Sequence, residues 1–341
     1  MTKMMKRWEM DGIGRDRLAL REVPAPQPGL GEVLVMVAAA SLNYRDKLMI
    51  ETGLGLPLAF PLTPGSDLAG TVVALGKDAA RFDIGDRVIS TFSPGWIDGA
   101  LAGDARGPAY RSLGGLNPGV LADYVAFPED WFVRAPATLT DAEASALPCA
   151  GLTAWFALIE NGKLHAGQTV LIEGTGGVAL FGLQIAKAHG AQAIVVSGSA
   201  EKLARAKALG ADHGIDRSRE DWVEALLRLT GDHGADHILE IVGGSHLGKA
   251  VQAAAFGGHI HQIGVLDGFE VTTPVGPLLA KNITIQGVSV GHRRALEAFV
   301  AAVDRVGLKP VIDARYQLTQ LHAALDHLNR GAFGKIIIEM A

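Results

Sequence analysis

Residues 170–190 read VLIEGTGGVALFGLQIAKAHG: an apolar strand, a glycine-rich turn, and then a helical stretch. The turn has the spacing G-x-G-x-x-A, with Gly174, Gly176 and Gly177 followed by Ala179 where a third glycine usually sits. Between a strand and a helix, that spacing is the fingerprint of a dinucleotide site. Gly174 permits the tight turn, Gly176 lets backbone N–H groups approach a pyrophosphate, and the small Ala179 allows close helix-to-strand packing. The pyrophosphate would lie on the helix N-terminus, where unpaired donors and partial positive charge collect. A glycine turn alone is weak, since any sharp strand-to-helix turn favours glycine, so its weight comes from its surroundings.

From about residue 141 the chain alternates strand and helix. TVLIEG (169–174), QAIVVSG (192–198), DHILEIV (236–242), GHIHQIG (258–264) and NITIQGV (282–288) read as near-continuous apolar strands, with Ala-rich helical stretches between most of them. This is the α/β pattern of a doubly wound parallel sheet. Upstream the texture differs. GEVLVMVAAASLN (31–43), TPGSDLAGTVVALG (63–76) and DIGDRVIS (83–90) are short strands separated by turns, as in a small β-barrel. The tail from Tyr316 reads as a helix, a Gly-bounded turn and a closing strand from Lys335 to Met340, which pattern alone leaves open to either domain. Residues 94–119, rich in Gly, Pro, Asp and Arg, are long enough for a functional loop, in which Trp96 and Tyr110 would line a pocket or only anchor the loop.

A chain of 341 residues suits two domains, and 48% hydrophobic with 20% charged residues makes them globular. The net charge of -5, with both signs interspersed, provides no basic patch for a phosphate backbone, so nucleic acid is not an expected partner. No stretch approaches the apolar length of a membrane span, and the opening MTKMMKRWEMDG lacks the apolar core of a signal peptide; the expectation is a cytoplasmic protein with no membrane partner. Cys149 is the single cysteine, which excludes an intrachain disulfide and a multi-cysteine structural zinc site.

The end of the second Rossmann strand discriminates between nicotinamide cofactors. An NAD site places Asp or Glu about 20 residues beyond the glycines, where it holds the ribose hydroxyls and repels a 2′-phosphate. Here the strand ends IVVSGSAEK (194–202), with the hydroxyls of Ser197 and Ser199, the ammonium of Lys202, and no acid at the tip. A phosphate would be hydrogen-bonded and neutralised there, favouring NADPH over NADH. The alternative is a solvated Lys202 whose field Glu201 dilutes.

With these features in place, the sequence resembles the medium-chain dehydrogenase/reductase superfamily, in its zinc-independent, quinone-oxidoreductase-like branch. The blocks that carry the resemblance are ASLNYRDKL (40–48), PLTPGSDLAGTV (61–72), RFDIGDRV (81–88), LADYVAFPED (121–130), LPCAGLTAW (147–155), GTGGVALFGLQIAKAHGA (174–191), EKLARAKALGAD (201–212) and GKIIIE (334–339). It implies a GroES-like barrel domain over 1–138, completed by 290–341, a Rossmann domain over 139–289, a cleft between them, and a homodimer formed through an edge strand. By similarity the cofactor would be lined by Asn43, Thr153, Gly174, Thr175, Gly176, Gly177, Val178, Ser197, Ser199, Lys202, Ile241, Val242, Ile263, Gly264, Val265 and Ser289. Arg217 falls where relatives often carry a Tyr near the adenine, a departure that would add a phosphate contact. Zinc-dependent members hold catalytic zinc with a Cys, a His and a second Cys, sometimes helped by a Glu. Those positions fall here at Asn43, Ser66 with Asp67, and Cys149, which is short of a three-ligand site, so no metal is expected.

Without zinc or a strong base to stabilise an alkoxide, alcohol oxidation lacks a driver. Hydride addition to a quinone or enone asks less, because the developing charge is delocalised and hydrogen-bond donors can meet it. Asn43 and Tyr44 are the candidate catalytic donors. Asn43 would hold the cofactor ribose or the oxyanion, and Tyr44 would hydrogen-bond the substrate or only pack against it; alternatively, NYRD is a turn satisfying its own backbone. Asp46 reads as structural. His259 and His261 alternate on a strand and share a face, but no third metal ligand stands nearby. Cys149 reads as a small buried side chain. The expected function is NADPH-dependent, zinc-independent reduction of a small quinone or α,β-unsaturated carbonyl compound. The alternatives are a zinc-free alcohol or aldehyde oxidoreductase, and a cofactor-binding sensor with little turnover.

Overall fold

The computed structural model describes residues 3–107 and 111–340, so Tyr110 lies outside the described residues. The chain divides into two compact units. One runs through Leu152 and resumes at Gly291; the other is Thr153–Val290.

The first unit opens with a hairpin of β1 (Met4–Met10) and β2 (Leu18–Pro24). There follow β3 (Glu32–Leu42), helix α1 (Tyr44–Thr52), β4 (Asp67–Leu75), β5 (Arg87–Ser90), β6 (Tyr124–Pro128), β7 (Phe132–Arg134) and the short helix α2 (Asp141–Ala144); α3 (Leu152–Trp155) starts on the last residue of this stretch and continues into the second unit. Strand β3 organises this unit. One of its edges pairs with β4, while the other pairs first with β6, through Glu32–Met36, and then with the last strand of the chain, through Ala39–Leu42. Its burial alternates at the start and becomes continuous from Ala39 to Leu42, so its end is covered on both faces.

The second unit contains β8 (Thr169–Glu173), α4 (Gly177–Ala188), β9 (Gln192–Ser197), α5 (Ala200–Ala208), β10 (His213–Asp216), α6 (Trp222–Leu229), β11 (Ala235–Glu240), α7 (His246–Ala253), β12 (Ala254–Gln262), α8 (Val275–Ala280) and β13 (Thr284–Gly287). Its sheet is parallel in the order β10-β9-β8-β11-β12-β13, a doubly wound Rossmann arrangement whose strand order reverses beside β8. Helix α4 lies close against this sheet because Gly182 has no side chain. A Cβ there would come within 2.3 Å of Leu239 Cδ1 on β11.

The chain then re-enters the first unit with α9 (Arg293–Val306), β14 (Ile312–Gln317), α10 (Leu321–Arg330) and β15 (Lys335–Glu339), the strand that pairs antiparallel with β3. The first unit is thus a GroES-like β domain carrying the tail.

Two expectations shift. The first boundary falls after Leu152 and not after residue 138, because the helical segment from 141 stays with the β domain. Ala142 packs with Ala39 and Ile337, and the Cys149 N–H donates to Asp67. Strand β10 was not legible in the sequence: its four residues, HGID, include a glycine and have no apolar run, and it is a strand through parallel pairing with β9.

Candidate active site and cofactor cradle

In the β domain, the candidate residues gather where β3 passes into α1. Asn43 caps α1 in an extended conformation, and the Asp46 carboxylate reaches back to accept its backbone N–H at 2.8 Å. Asp46 is therefore the structural residue expected of it, and it also accepts from Arg45 Nη1 at 3.1 Å. Arg45 in turn donates to Leu113 O at 2.9 Å and Ser112 Oγ at 2.8 Å, tying the 94–119 loop to α1. Tyr44 opens α1 half-buried, with the Lys47 ammonium 5.5 Å from its ring centre.

Around the Asn43 side chain lie Ser66 and Asp67, with Cys149 bonded to Asp67, the positions that the resemblance matched to metal ligands. Ser66 Oγ donates to Asp67 Oδ1 at 2.6 Å, and Asp67 Oδ2 accepts the Cys149 N–H at 3.0 Å. Into this group projects a residue that sequence reasoning did not single out. Lys335, the first residue of β15 and only 4% exposed, donates from Nζ to Leu42 O at 2.8 Å and to Asn43 Oδ1 at 2.5 Å. The signal was present in the terminal GKIIIE block, but only the β3–β15 register brings residue 335 beside 42 and 43.

The electrostatics follow from burial. Asp67 is fully buried, and desolvation pushes its carboxyl up to about 6, with the Lys335 ammonium and the Ser66 hydroxyl pulling it back and Asp46 pushing further. Burial also holds the Cys149 thiol well above its ordinary range, reinforced by the Asp67 charge. Zinc requires deprotonated, uncharged or anionic donors. Here the groups are an amide, a hydroxyl, one carboxylate and one thiol. That is short of the three ligands a catalytic zinc site takes, and among the described residues no group of three or more His, Cys, Asp or Glu could hold a metal.

In the second unit the parallel sheet sends every strand's carboxyl end to one edge. Nearly all the sequence-predicted cofactor residues fall there: Gly174, Thr175, Gly176, Gly177 and Val178 after β8, Ser197, Ser199 and Lys202 at and beyond the end of β9, Arg217 after β10, Ile241 and Val242 after β11, Ile263, Gly264 and Val265 after β12, and Ser289 after β13. Thr153, buried on α3, and Asn43, at the start of α1 in the first unit, are the exceptions.

Each glycine in this edge has its own reason. Gly174 has φ 93°, a left-handed conformation that a side chain resists. Gly176 has ordinary dihedrals, and nothing lies within 4 Å of where its Cβ would be. Neither strain nor packing demands glycine there, so the open space suits a ligand, and no side chain caps α4 at that end. Gly264 is structural: its Cβ would come within 1.6 Å of Ile241 O.

At the end of β9, Ser199 caps α5 by accepting the Lys202 N–H at 3.3 Å, while Ser197 Oγ accepts the Ser199 N–H at 3.3 Å. Arg217 donates its backbone N–H to Ser197 O at 3.1 Å, and its guanidinium lies against Gly198. Two hydroxyls and the basic Arg217 thus converge on one strand end, beside Lys202. Beneath the glycine turn, Glu173 and Glu240 are both buried; Glu240 Oε1 accepts the Val242 and Gly243 N–H groups at 2.7 and 2.9 Å. Desolvation, followed by the Glu240 charge, holds the Glu173 carboxyl well above the usual range.

His259 and His261 share a face as expected, and His237 joins them from β11. His237 and His261 stack at 5.6 Å, and His237 Nδ1 lies 3.3 Å from His261 Nε2. The rings stack on one another and do not converge on a common point, so the group is a packed layer.

Residues 29–137 match the alcohol dehydrogenase GroES-like domain and residues 177–305 the zinc-binding dehydrogenase family. A zinc-type alcohol dehydrogenase-like protein of Schizosaccharomyces pombe is 36% identical over 337 residues, covering 96% of each chain. A quinone oxidoreductase of Homo sapiens is 28% identical, covering 95% of this chain and 94% of that one. A solved alcohol dehydrogenase-like structure from Sinorhizobium meliloti is 61% identical with a TM-score of 0.97, covering 99% of both chains.

Proposed function

The chain belongs to the medium-chain dehydrogenase/reductase superfamily of NAD(P)-dependent oxidoreductases, and on that premise we propose that it reduces quinones or α,β-unsaturated carbonyl compounds, using NADPH and no zinc. The observation that carries this reading is the donor set around Asn43, where a lysine ammonium stands among the positions that relatives use for metal.

Gly174 through Val178 and the open N-terminus of α4 would hold the pyrophosphate, while Ser197, Ser199, Lys202 and Arg217 would hold a 2′-phosphate by charge-assisted hydrogen bonds. Bound there, the nicotinamide supplies hydride. Asn43 Nδ2 donates to the oxygen on which charge develops, or to the cofactor ribose, and Tyr44 offers its hydroxyl to the substrate. A conjugated acceptor suits this site because its oxyanion is delocalised and two neutral donors are enough to meet it. The names of the alcohol dehydrogenase relatives favour a second reading, oxidation or reduction of simple alcohols and carbonyls.

We also place the protein in the cytoplasm as a homodimer. The support for a dimer is β13, an edge strand of the Rossmann sheet flanked by the exposed apolar residues Val275 and Leu279. Light scattering on a sizing column tests it.

The functional test is NADPH and NADH oxidation against 1,4-quinones, enones and simple ketones, with metal-analysed protein and with or without chelator. Chelator-insensitive NADPH oxidation by quinones or enones supports the reading. Chelator-sensitive turnover of simple alcohols with stoichiometric zinc overturns it, and cofactor binding without turnover of any acceptor points to a sensor.

A further inference from the structure

Asn43 carries an ambiguity common to every asparagine: its oxygen and nitrogen ends are nearly the same shape, and only hydrogen bonding tells them apart. Lys335 removes the ambiguity. An ammonium has three donors and no acceptor, so the end of the Asn43 amide 2.5 Å from Nζ must be the carbonyl oxygen. The NH2 end then points the other way, towards Ser66 Oγ at a long 3.4 Å and the Asp67 carboxylate, both of which can accept from it. Since Ser66 gives its own proton to Asp67 at 2.6 Å, its oxygen is free only to accept, which agrees with the same orientation. Asn43 is thereby held as a donor, its NH2 end turned towards Ser66 and Asp67 and away from the ammonium.

The ammonium does more than orient. Positive charge at the carbonyl oxygen favours the amide resonance form with a C=N double bond, making the N–H hydrogens more positive and stronger as donors. The effect is large only where water is excluded, and Lys335 is 4% and Asn43 7% exposed. Lys335 is fixed in turn by Leu42 O at 2.8 Å and by the charge of fully buried Asp67.

We infer that Lys335 is a positioning residue for the reaction: its ammonium stands in for the absent metal charge by fixing and polarising the Asn43 amide as a hydrogen-bond donor. The inference rests on the reductase reading above for the oxygen that receives this bond, but the Lys335–Asn43 relationship itself does not.

The test is a double-mutant cycle of Lys335→Met and Asn43→Ala, read in kcat and in KM for NADPH. Each single variant is expected to lower kcat by about tenfold to a hundredfold, as removal of one donor to a developing oxyanion does, with KM moving much less. The double variant is expected to be no slower than Asn43→Ala, because a residue that acts through Asn43 has nothing left to act on. Lys335→Arg, which keeps charge and donors, is expected to recover most of the loss and serves if Lys335→Met fails to fold. Multiplying effects in the double variant, or a kcat unchanged by Lys335→Met, overturn the inference. A second readout is independent of turnover. The Asn43 side-chain amide resonance in a nitrogen-15 spectrum, assigned by its loss in Asn43→Ala, is expected to move in Lys335→Met. If it stays in place the inference fails, whatever the substrate. If it moves while the wild type turns over no acceptor, the reductase reading fails and the positioning stands.

Discussion

Asp67 Oδ2 accepts the backbone N–H of Cys149 at 3.0 Å, so one buried carboxylate both faces the Lys335 ammonium and fastens the helical segment after α2 to β4. Removing it leaves a buried ammonium without its counter-charge and a backbone N–H without an acceptor. Asp67→Ala is expected to cost roughly 1–3 kcal/mol, the range for leaving a buried donor without its acceptor. Urea midpoints measure this, and a loss near zero would show that Lys335 needs no partner.

Acid should destabilise the protein through the histidine layer. Burial holds His237 at about 4 and His261 at about 3, so both stay neutral in the fold while the unfolded chain takes up protons near the ordinary value of 6.5. Their contribution is complete above pH 6.5 and is lost as pH falls from there towards 4. Asp67 opposes this trend: with its carboxyl raised to about 6, it costs least at low pH. His261→Phe keeps an aromatic ring in the stack and removes one titrating group. Its urea midpoint should fall less steeply than that of the wild type between pH 6.5 and 4.5; an identical slope would rule out His261 as a source.

Glu173→Gln is expected to stabilise the protein at alkaline pH. Burial and then the Glu240 charge hold the wild-type carboxyl well above its ordinary value of 4.5, at which the unfolded chain ionises, so stability drains as pH rises above that value. An amide has no proton to lose. Thermal midpoints of the two proteins should diverge from pH 5 towards pH 8, with the variant higher.

Gly176→Ala separates the ligand's needs from those of the fold. Its backbone is ordinary and its Cβ would meet nothing, so stability should change by less than about 1 kcal/mol. NADPH affinity, read by fluorescence titration, should nevertheless fall at least about tenfold, because a methyl group would stand where the pyrophosphate approaches. Gly174→Ala, at φ 93°, should be destabilised as well.

Cofactor choice should reverse at Ser199. Aspartate there keeps a good cap for α5 and adds a carboxylate that repels a 2′-phosphate and accepts from ribose hydroxyls. Ser199→Asp is expected to lower the NADPH-to-NADH ratio of kcat/KM by about a hundredfold, equivalent to about 2.7 kcal/mol, and Lys202→Ala to lower it less. An unaltered ratio would put the discrimination elsewhere.

The Rossmann sheet and the place of its glycine turn were legible in the chain because both are local: five apolar runs, a G-x-G-x-x-A turn and the helix after it are short contiguous stretches. The sequence also identified Asn43, the missing acid after β9 and the structural nature of Asp46, since a capping residue and the acid three positions on are read together. The tertiary structure decided what depends on partners far apart in sequence. β10 is a strand because β9 offers its edge, the segment from 141 stays with the β domain because Asp67 and Ile337 receive it, and His237 meets His261 through the β11–β12 register. Above all, Lys335 and Asn43 are 292 residues apart, and only the antiparallel pairing of β15 with β3 makes them one hydrogen-bonded pair. Local patterns specify the backbone path through propensity and periodicity; the burial that decides which charge faces which amide arises only when the strands are assembled.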